Sequence, residues 1–178
     1  LDPSHKYPVQ LPANGKAVLN YNFDDGPADT VLNIAGPNNK AVVIGNVKWV
    51  PSLFGLAIQT NALDSAYLEI PMNAQLDSIS NKKILTMMCW IYPMEEENFA
   101  DIFTKGNSNT LQVKGGNTVL NFYTGGWEGH EATAVVPKNW NRHWHHMAGV
   151  TENGFHKLYL DGKLVGTKMD EPKNPNGE

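Results

Sequence analysis

Residues 144–165 read WHHMAGVTENGFHKLYLDGKLV and give the clearest indication of the fold. Two dipeptides, Asn153-Gly154 and Asp161-Gly162, divide it into three runs that can each form a strand. Asn-Gly and Asp-Gly accept the positive φ angles of a tight type I′ turn, which makes them the strongest short-range hairpin signals. The stretch therefore predicts three antiparallel strands joined in a meander.

Short runs of β-forming residues also precede the meander, separated by Gly, Pro, Asn and Asp. The predicted strands cover residues 17–23, 41–44, 47–50, 55–60, 66–70, 84–92, 101–104, 110–114, 117–124 and 131–136. The run 84–92 is apolar almost throughout, which favours a central strand buried on both faces. Gly115-Gly116 predicts a two-residue hairpin, and residues 75–79 allow one helical turn. The pattern is typical of an all-β, antiparallel two-sheet sandwich.

The composition describes one acidic globular domain. The chain has 178 residues, with 18 acidic and 14 basic side chains and a net charge of −4. That length is sufficient for a sizeable core. The charge disfavours nucleic acid as a partner, because binding it normally requires a basic face. No apolar run approaches the length of a membrane span.

The single cysteine, Cys89, lies in an apolar run at residues 87–91. It cannot form an intrachain disulfide, and cysteine ligands cannot build a zinc site here. We interpret it as a small buried hydrophobic residue rather than a reactive thiol.

Both ends of the chain differ in composition from the middle. Three prolines occur in the first twelve residues, so residues 1–16 are predicted to be a stiff linker or N-terminal extension. The chain begins with Leu1, which suggests a mature product or a domain excised from a longer chain. Residues 17–169 are the predicted domain, and residues 170–178 a flexible tail or truncated end.

Four pieces of the chain, in order, resemble laminin G-like domains of the concanavalin A-like lectin/glucanase superfamily. They are LNYNFDD at 19–25, FGLAI at 54–58 with YLEIP at 67–71, ILTMMCWIYP at 84–93, and WHHMA at 144–148 with LYLDG at 158–162. The resemblance extends from about residue 17 to about residue 165. Each piece alone is weakly specific, whereas their order along the chain is characteristic of the fold.

The resemblance implies a concanavalin A-like jelly roll that is non-catalytic and appended to a bacterial secreted or surface protein that handles polysaccharides. It also implies a structural calcium and an extracellular, periplasmic or cell-surface location. Such domains normally end with a strand that pairs with the first strand. Residues 170–178 cannot form it, so we expect either a truncated sequence or a closing strand supplied from elsewhere.

A calcium site is predicted in the polar loop after the first predicted strand. Asp24, Asp25 and Asp29 lie together there, and Ca²⁺ takes carboxylate and carbonyl oxygens in irregular loops of this kind. Asp residues also cap turns efficiently, which is the structural alternative.

Carbohydrate binding requires aromatic faces for sugar rings and polar groups for hydroxyls. The predicted ligand-binding residues form two clusters, Tyr123, Trp127, Glu128 and His130, and Trp140, Asn141 and Arg142. Trp127 lies in a glycine-rich loop, where a role in the core is difficult to explain. Trp140 and Tyr123 are alternatively interpreted as residues that fill the sandwich.

Two further pairs of residues give weaker predictions, one of a transition-metal site and one of a catalytic carboxylate pair. His143 and His145 would share a face of a strand and could clamp a transition metal, although a role in the core or at its rim is the alternative. Glu128 and Glu131 flank the glycine-rich loop, but they form no motif of paired carboxylates as a glycosidase requires. Trp144 and His146 are interpreted as packing residues.

The residues and the resemblance together lead to three functional hypotheses. The first is a carbohydrate-binding or accessory module of a larger exported, glycan-processing protein. The second is a protein-interaction or spacer domain that contacts other domains of the parent chain. The third, a glycoside hydrolase, is the least supported by the residues.

Overall fold

The computed structural model describes residues 17–80, 84–94, 99–106 and 108–170. The chain divides into two compact units, Leu1–Asn73 and Ala74–Glu178. The predicted linker at 1–16 and residues 171–178 of the predicted tail lie outside the described residues, so the predicted linker and tail stay predictions. Among the described residues, no helix has the length and apolar character needed to cross a membrane.

The first unit consists of short strands. They are β1 (Thr30–Val31), β2 (Ala41–Ile44), β3 (Lys48–Pro51), β4 (Leu56–Gln59) and β5 (Tyr67–Glu69), with a 3₁₀ turn at Ala62–Asp64. One antiparallel sheet has the order β1-β2-β5, and β3 pairs with β4 in a separate hairpin. The predicted strands of this region are thus present, except for the first.

The predicted strand at residues 17–23 is wrong, because this segment has no regular secondary structure. The side chain of Asn33 instead forms hydrogen bonds with backbone groups of this segment. Asn33 Nδ2 donates to the carbonyls of Val18 and Asn38, both at 2.9 Å. Its Oδ1 accepts the Asn20 N–H at 2.8 Å. A buried asparagine thus replaces the strand ladder that the alternation of apolar residues predicts.

The second unit is a sandwich of two antiparallel sheets. Its elements are α1 (Ala74–Ser80), β6 (Ile84–Ile91), β7 (Phe99–Lys105), β8 (Asn109–Lys114), β9 (Val119–Thr124), β10 (Ala132–Val135), β11 (His145–Glu152), β12 (Phe155–Leu160) and β13 (Lys163–Met169). One sheet has the order β10-β9-β8-β7 and the other β13-β12-β11-β6. The predicted antiparallel two-sheet sandwich is therefore confirmed.

The meander is confirmed as β11, β12 and β13. Its two turns have the predicted left-handed backbone, with φ of 49° at Asn153 and 50° at Asp161, each followed by a glycine near 80°. The Asp161 carboxylate also accepts the His146 N–H at 2.9 Å and fixes the second turn. Local residue preference therefore sets the register of the whole meander.

The core fills the space between the two sheets. Its buried members are Met87, Leu111, Val113, Leu120, Phe122, Ala132, Trp140, Met147, Leu158 and Leu160. The sheets approach closely at Gly149 of β11, where an added Cβ would lie 2.1 Å from the Phe122 ring of β9. At Gly166 of β13 an added Cβ would lie 2.4 Å from the Thr133 carbonyl oxygen of β10. These two glycines let the sheets pack against each other without a spacer.

The prediction that β6 is buried on both faces is wrong. Its side chains alternate between Met87, 6% exposed, and Met88 and Trp90, 55% and 48% exposed. In the described part of the sheet β6 is the last strand and pairs with β11. An apolar outer face, rather than burial on both sides, explains the continuous apolar run. Burial raises the pKa of Cys89 to about 12, which agrees with an unreactive thiol.

The β8–β9 connection is longer than predicted. Gly115, Gly116 and Asn117 all have positive φ, and β9 begins only at Val119. The Thr118 side chain closes this turn by donating to the Gly115 carbonyl at 2.6 Å. The predicted helical turn is also present, as the seven-residue helix α1.

Candidate functional site

The loop between β9 and β10 presents Trp127 to solvent. Its backbone turns through Gly125 and Gly126, whose φ angles of 82° and 108° exclude most side chains. The Gly125 N–H donates to the Ser108 carbonyl at 2.7 Å and anchors the start of the loop. Trp127 itself is 54% exposed. The glycines therefore project an indole ring outward instead of into the core.

A pocket of about 360 Å³ lies beside this ring. It is lined by Gly125, Gly126, Trp127, Glu128 and His130. An aromatic face, a carboxylate and an imidazole thus converge on one concave surface. Such a surface can stack on the apolar side of a sugar ring and exchange hydrogen bonds with its hydroxyls.

Tyr123 does not join this pocket. It is 4% exposed and lies on β9, opposite Thr110 of β8. The structure therefore favours the alternative that Tyr123 fills the sandwich, and only three members of the first predicted cluster come together.

The second predicted cluster is mostly structural. Trp140 is 2% exposed and stacks on the His145 ring, with centroids 4.9 Å apart. Its Nε1 donates to Asn117 Oδ1 at 3.0 Å, and Asn117 Nδ2 donates to Asn141 at 3.0 Å. A pocket of about 230 Å³ includes Trp140 and Asn141 in its lining. Because the indole face is covered by His145, this pocket offers no free aromatic plane.

Arg142 adopts a left-handed turn conformation, with φ of 60°. Its N–H donates to the Pro93 carbonyl at 2.7 Å, and its side chain is exposed. The residue therefore ends the loop before β11 and leaves its guanidinium in solvent.

The clamp predicted from His143 and His145 is not formed. His145 is 2% exposed and contacts the Asp161 carboxylate through Nδ1 at 2.8 Å and the Asn139 carbonyl through Nε2 at 3.2 Å. His143 precedes β11 and is exposed. Burial opposes ionisation of Asp161, but hydrogen bonds and charge from His145 and His146 together lower its pKa. His145 is thus a structural residue of the rim.

Another cluster of possible metal ligands lies beside the Trp127 pocket. It comprises His130, His156 and Asp170, whose ligand atoms all lie within 4.8 Å of one another. Burial opposes ionisation of Asp170, yet hydrogen bonds from both histidines and the charge of their rings lower its pKa. His130 is predicted from the sequence as a sugar contact, but the three-residue cluster has no local sequence motif that could reveal it.

The aspartates predicted to bind calcium are not brought together in this way. Asp24 accepts hydrogen bonds from the Leu56 N–H at 3.0 Å and from Asn22 Nδ2 at 3.1 Å. Asp25 and Asp29 are exposed. The described residues thus use Asp24 to hold a turn, as the structural alternative expects. Calcium binding by this loop stays a prediction.

Glu131 is engaged within the protein. It accepts hydrogen bonds from Lys114 and from Asn121 Nδ2. Glu128 lines the Trp127 pocket instead. The two residues predicted as a possible carboxylate pair therefore have different environments, and Glu131 is held by a lysine.

An aromatic surface that sequence analysis missed lies on the outer face of the β6–β11 sheet. Trp90 is 48% and Tyr92 40% exposed. Trp90 contacts His146 edge to face at 5.2 Å, and Tyr92 contacts Trp144 at 5.4 Å between ring centroids. We call these four residues the outer aromatic face. In the sequence, the aromatic residues are spaced by two, at positions 90 and 92 and at positions 144 and 146. The prediction that residues 84–92 are buried on both faces hides this pattern.

Comparisons with known proteins agree with this architecture. A family model of the concanavalin A-like lectin/glucanases superfamily, a laminin G type, matches residues 63–178, more than half of the chain. We found no match among curated protein sequences.

Two solved structures share the fold. The binding domain of botulinum neurotoxin DC, in complex with rat synaptotagmin II, is 16% identical with a TM-score of 0.64, over 88% of this chain and 40% of that chain. Domain 4 of AbnA, a GH43 extracellular arabinanase from Geobacillus stearothermophilus, in complex with arabinotriose, is 17% identical with a TM-score of 0.55, over 85% and 74%. The present chain thus spans less than half of the neurotoxin chain.

The family match, together with the two-sheet antiparallel sandwich, confirms the predicted jelly-roll fold class. It also confirms the resemblance that the four sequence pieces carry. The chain belongs to the laminin G-like domains of the concanavalin A-like lectin/glucanases superfamily.

Proposed function

We propose that this chain is a non-catalytic carbohydrate-binding module of a larger exported bacterial protein that processes glycans. Trp127 carries the proposal. It is a large aromatic side chain, 54% exposed in a glycine-rich loop, beside a pocket that also contains a carboxylate and an imidazole. An extracellular, periplasmic or cell-surface location is part of the same proposal.

The pocket meets the physical requirements of sugar recognition. A pyranose or furanose ring has an apolar face that an indole plane can cover, which removes apolar surface from water. Glu128 accepts hydrogen bonds and His130 can donate or accept them, so both suit sugar hydroxyls. The glycine-rich backbone has no side chains to block approach to the ring.

The solved relatives supply the two ligand classes to compare. One was solved with an oligosaccharide and the other with a protein. At these identities the likeness concerns the fold alone. Each ligand class is therefore considered against a surface of this chain.

A second candidate function is protein interaction, and the outer aromatic face favours it. Exposed apolar side chains of β6 extend this face, among them Ile84 and Met88, each more than half exposed. Contiguous apolar surface of this kind marks interaction sites in soluble proteins. Other domains of the parent chain are the proposed partners.

The two candidates are separated by a matched pair of substitutions. Trp127→Ala removes the indole at the pocket, and Trp90→Ala removes a similarly exposed indole from the outer aromatic face. Both proteins and the wild type are screened on a broad glycan array, and hits are measured by titration calorimetry. Circular dichroism verifies that all three are folded.

We expect the wild type to bind a polysaccharide weakly and Trp127→Ala to lose about tenfold or more in affinity, since stacking buries roughly half an indole. Trp90→Ala is expected to bind as the wild type does. Loss of binding in Trp90→Ala alone would move the site to the outer aromatic face. A folded wild type that binds no glycan would leave protein interaction as the better function.

A further inference from the structure

We propose that His130, His156 and Asp170 bind one divalent transition-metal ion of the zinc class. The donors are His130 Nδ1, His156 Nε2 and Asp170 Oδ1, which all lie within 4.8 Å of one another. Two imidazoles and one carboxylate are a typical three-ligand set for tetrahedral Zn²⁺, with the fourth position left for water or a ligand.

Each pair of donors must move by no more than about 1.5 Å to reach the spacing of tetrahedral ligands. Asp170 Oδ1 lies 2.5 Å from His130 Nδ1 and 2.7 Å from His156 Nε2. Tetrahedral ligands about 2.0–2.1 Å from an ion are roughly 3.3 Å apart. The oxygen must therefore withdraw by less than about 1 Å from each nitrogen. The two nitrogens, which lie within 4.8 Å of each other, must approach by up to about 1.5 Å. The side chains of His130 and Asp170 are each 33% exposed, so both have room to move.

His156 is the fixed member of the site. Its side chain is 1% exposed, and its Nδ1 lies 2.9 Å from Thr151 Oγ1. Thr151 Oγ1 in turn lies 2.9 Å from Thr124 Oγ1. A metal-binding histidine normally has its second nitrogen held by such a partner, which fixes the ring and its tautomer.

The two threonine hydroxyls allow the ring to take either tautomer. Without metal, the tautomer that carries its proton on Nε2 lets His156 donate to Asp170 while Nδ1 accepts the Thr151 O–H. With metal, Nε2 uses its lone pair on the ion, and Nδ1–H donates to Thr151. Each hydroxyl can donate or accept, so the chain from Thr151 to Thr124 reverses direction without leaving a buried group unpaired.

The site joins segments that belong to different sheets. His130 lies in the loop before β10, His156 lies on β12, and Asp170 directly follows β13. The Asp170 N–H donates to the Gly154 carbonyl at 2.8 Å and holds the carboxylate near β12. A bound ion would therefore link one sheet to the other and stabilise the folded state.

The donor set also predicts which ions bind. Imidazole suits Zn²⁺, Ni²⁺ and Cu²⁺, whereas Ca²⁺ takes six to eight oxygen ligands. Calcium should therefore neither bind at this cluster nor compete with zinc.

The test uses the full chain stripped with a chelator and titrated with Zn²⁺ by calorimetry, with Ca²⁺ as the comparison ion. His130→Ala and Asp170→Asn each remove one ligand from a partly exposed position. His143→Ala is the matched control, because His143 is an exposed histidine outside the cluster. Co²⁺ provides an independent readout through the visible absorption of four-coordinate cobalt.

We expect one equivalent of Zn²⁺ to bind to the wild type and to His143→Ala. At a hundredfold excess of free Zn²⁺ over Kd, Tm should rise by about 5–10 °C. His130→Ala and Asp170→Asn should lose about a hundredfold or more in affinity and lack the cobalt spectrum. The proposal is overturned if Zn²⁺ does not bind to folded wild type, or if His130→Ala binds it equally well. The three side chains would then serve only as a hydrogen-bonded cluster.

Discussion

The two sheets approach closely at Gly149, and Gly149→Ala tests this contact directly. A Cβ at this position would lie 2.1, 2.3 and 2.4 Å from three carbons of the Phe122 ring. Ordinary carbon contacts begin near 3.4 Å, so a gap of about 1.3 Å must open between the sheets. Phe122 is 0% exposed, so its ring has no solvent into which it can withdraw.

Overpacking of a core lowers the free energy of unfolding by about 1–3 kcal/mol. Because the Phe122 ring cannot move into solvent, we expect Gly149→Ala to lower it by about 3 kcal/mol. For a chain of this size that corresponds to a decrease in Tm of roughly 6–12 °C, measured by scanning calorimetry. Gly36→Ala is the matched control, because an added Cβ there meets no atom within 4 Å. We expect the control to melt within about 2 °C of the wild type.

A double substitution identifies the ring as the cause. Phe122→Leu alone should destabilise the protein by about 1–2 kcal/mol, because it leaves a cavity beside Gly149. In Gly149→Ala with Phe122→Leu the new methyl group occupies part of that cavity, so the combined loss should be at least about 1 kcal/mol smaller than the sum. A Gly149→Ala protein that melts like the wild type, or strict additivity in the double variant, would refute the packing argument.

Substitutions at two further positions test local interactions. The pKa of Asp161 is lowered below 3.8 in the folded state, so its carboxylate stabilises the fold above that pH and the contribution is lost as pH falls through the folded pKa. In calorimetric scans, the Tm difference between wild type and Asp161→Asn should therefore be largest near pH 6 and should disappear at acidic pH. A Tm difference that does not change with pH would contradict this. Asn33→Ala should cost about 2–3 kcal/mol in urea unfolding, because it leaves the carbonyls of Val18 and Asn38 without their donor. Asn33→Asp keeps the acceptor but loses that donor, so it should be destabilised as well, whereas wild-type stability in either protein would show that Asn33 is not needed there.

The parts of the fold that sequence predicts well are those decided by neighbouring residues. The turns at Asn153 and Asp161 are predicted correctly because few residues tolerate positive φ. Once the turns are placed, the positions of the flanking strands follow from them. In residues 17–23 apolar and polar residues alternate as in a strand, but backbone groups of this segment form hydrogen bonds with the Asn33 side chain. Such a long-range side-chain contact leaves no local pattern, so the strand prediction failed.

The candidate site divides in the same way. The glycine-rich loop around Trp127 argues against a role in the core, and the side chain is 54% exposed. Its role in ligand binding stays a prediction. Tyr123 and Trp140 carry no such signal, and composition alone could not separate a core aromatic from a surface aromatic. Asp170 lies 40 positions from His130 and was assigned to the tail. The pairing of β12 with β13 places Asp170 beside His156, and the packing of β13 against β10 brings His130 to the same place.

The position of His130 connects the pocket to the core. The loop that carries Trp127 is anchored at its start by the Ser108 carbonyl and at its end by the bond from His130 to Asp170. Asp170 also contacts His156, which is buried and held by a threonine hydroxyl. An aromatic platform binds a weak ligand better when its position is set before binding, because less conformational entropy is then lost. The histidine-aspartate cluster supplies that constraint with or without a metal ion, so the geometry of the pocket depends on Asp170, the residue that follows β13.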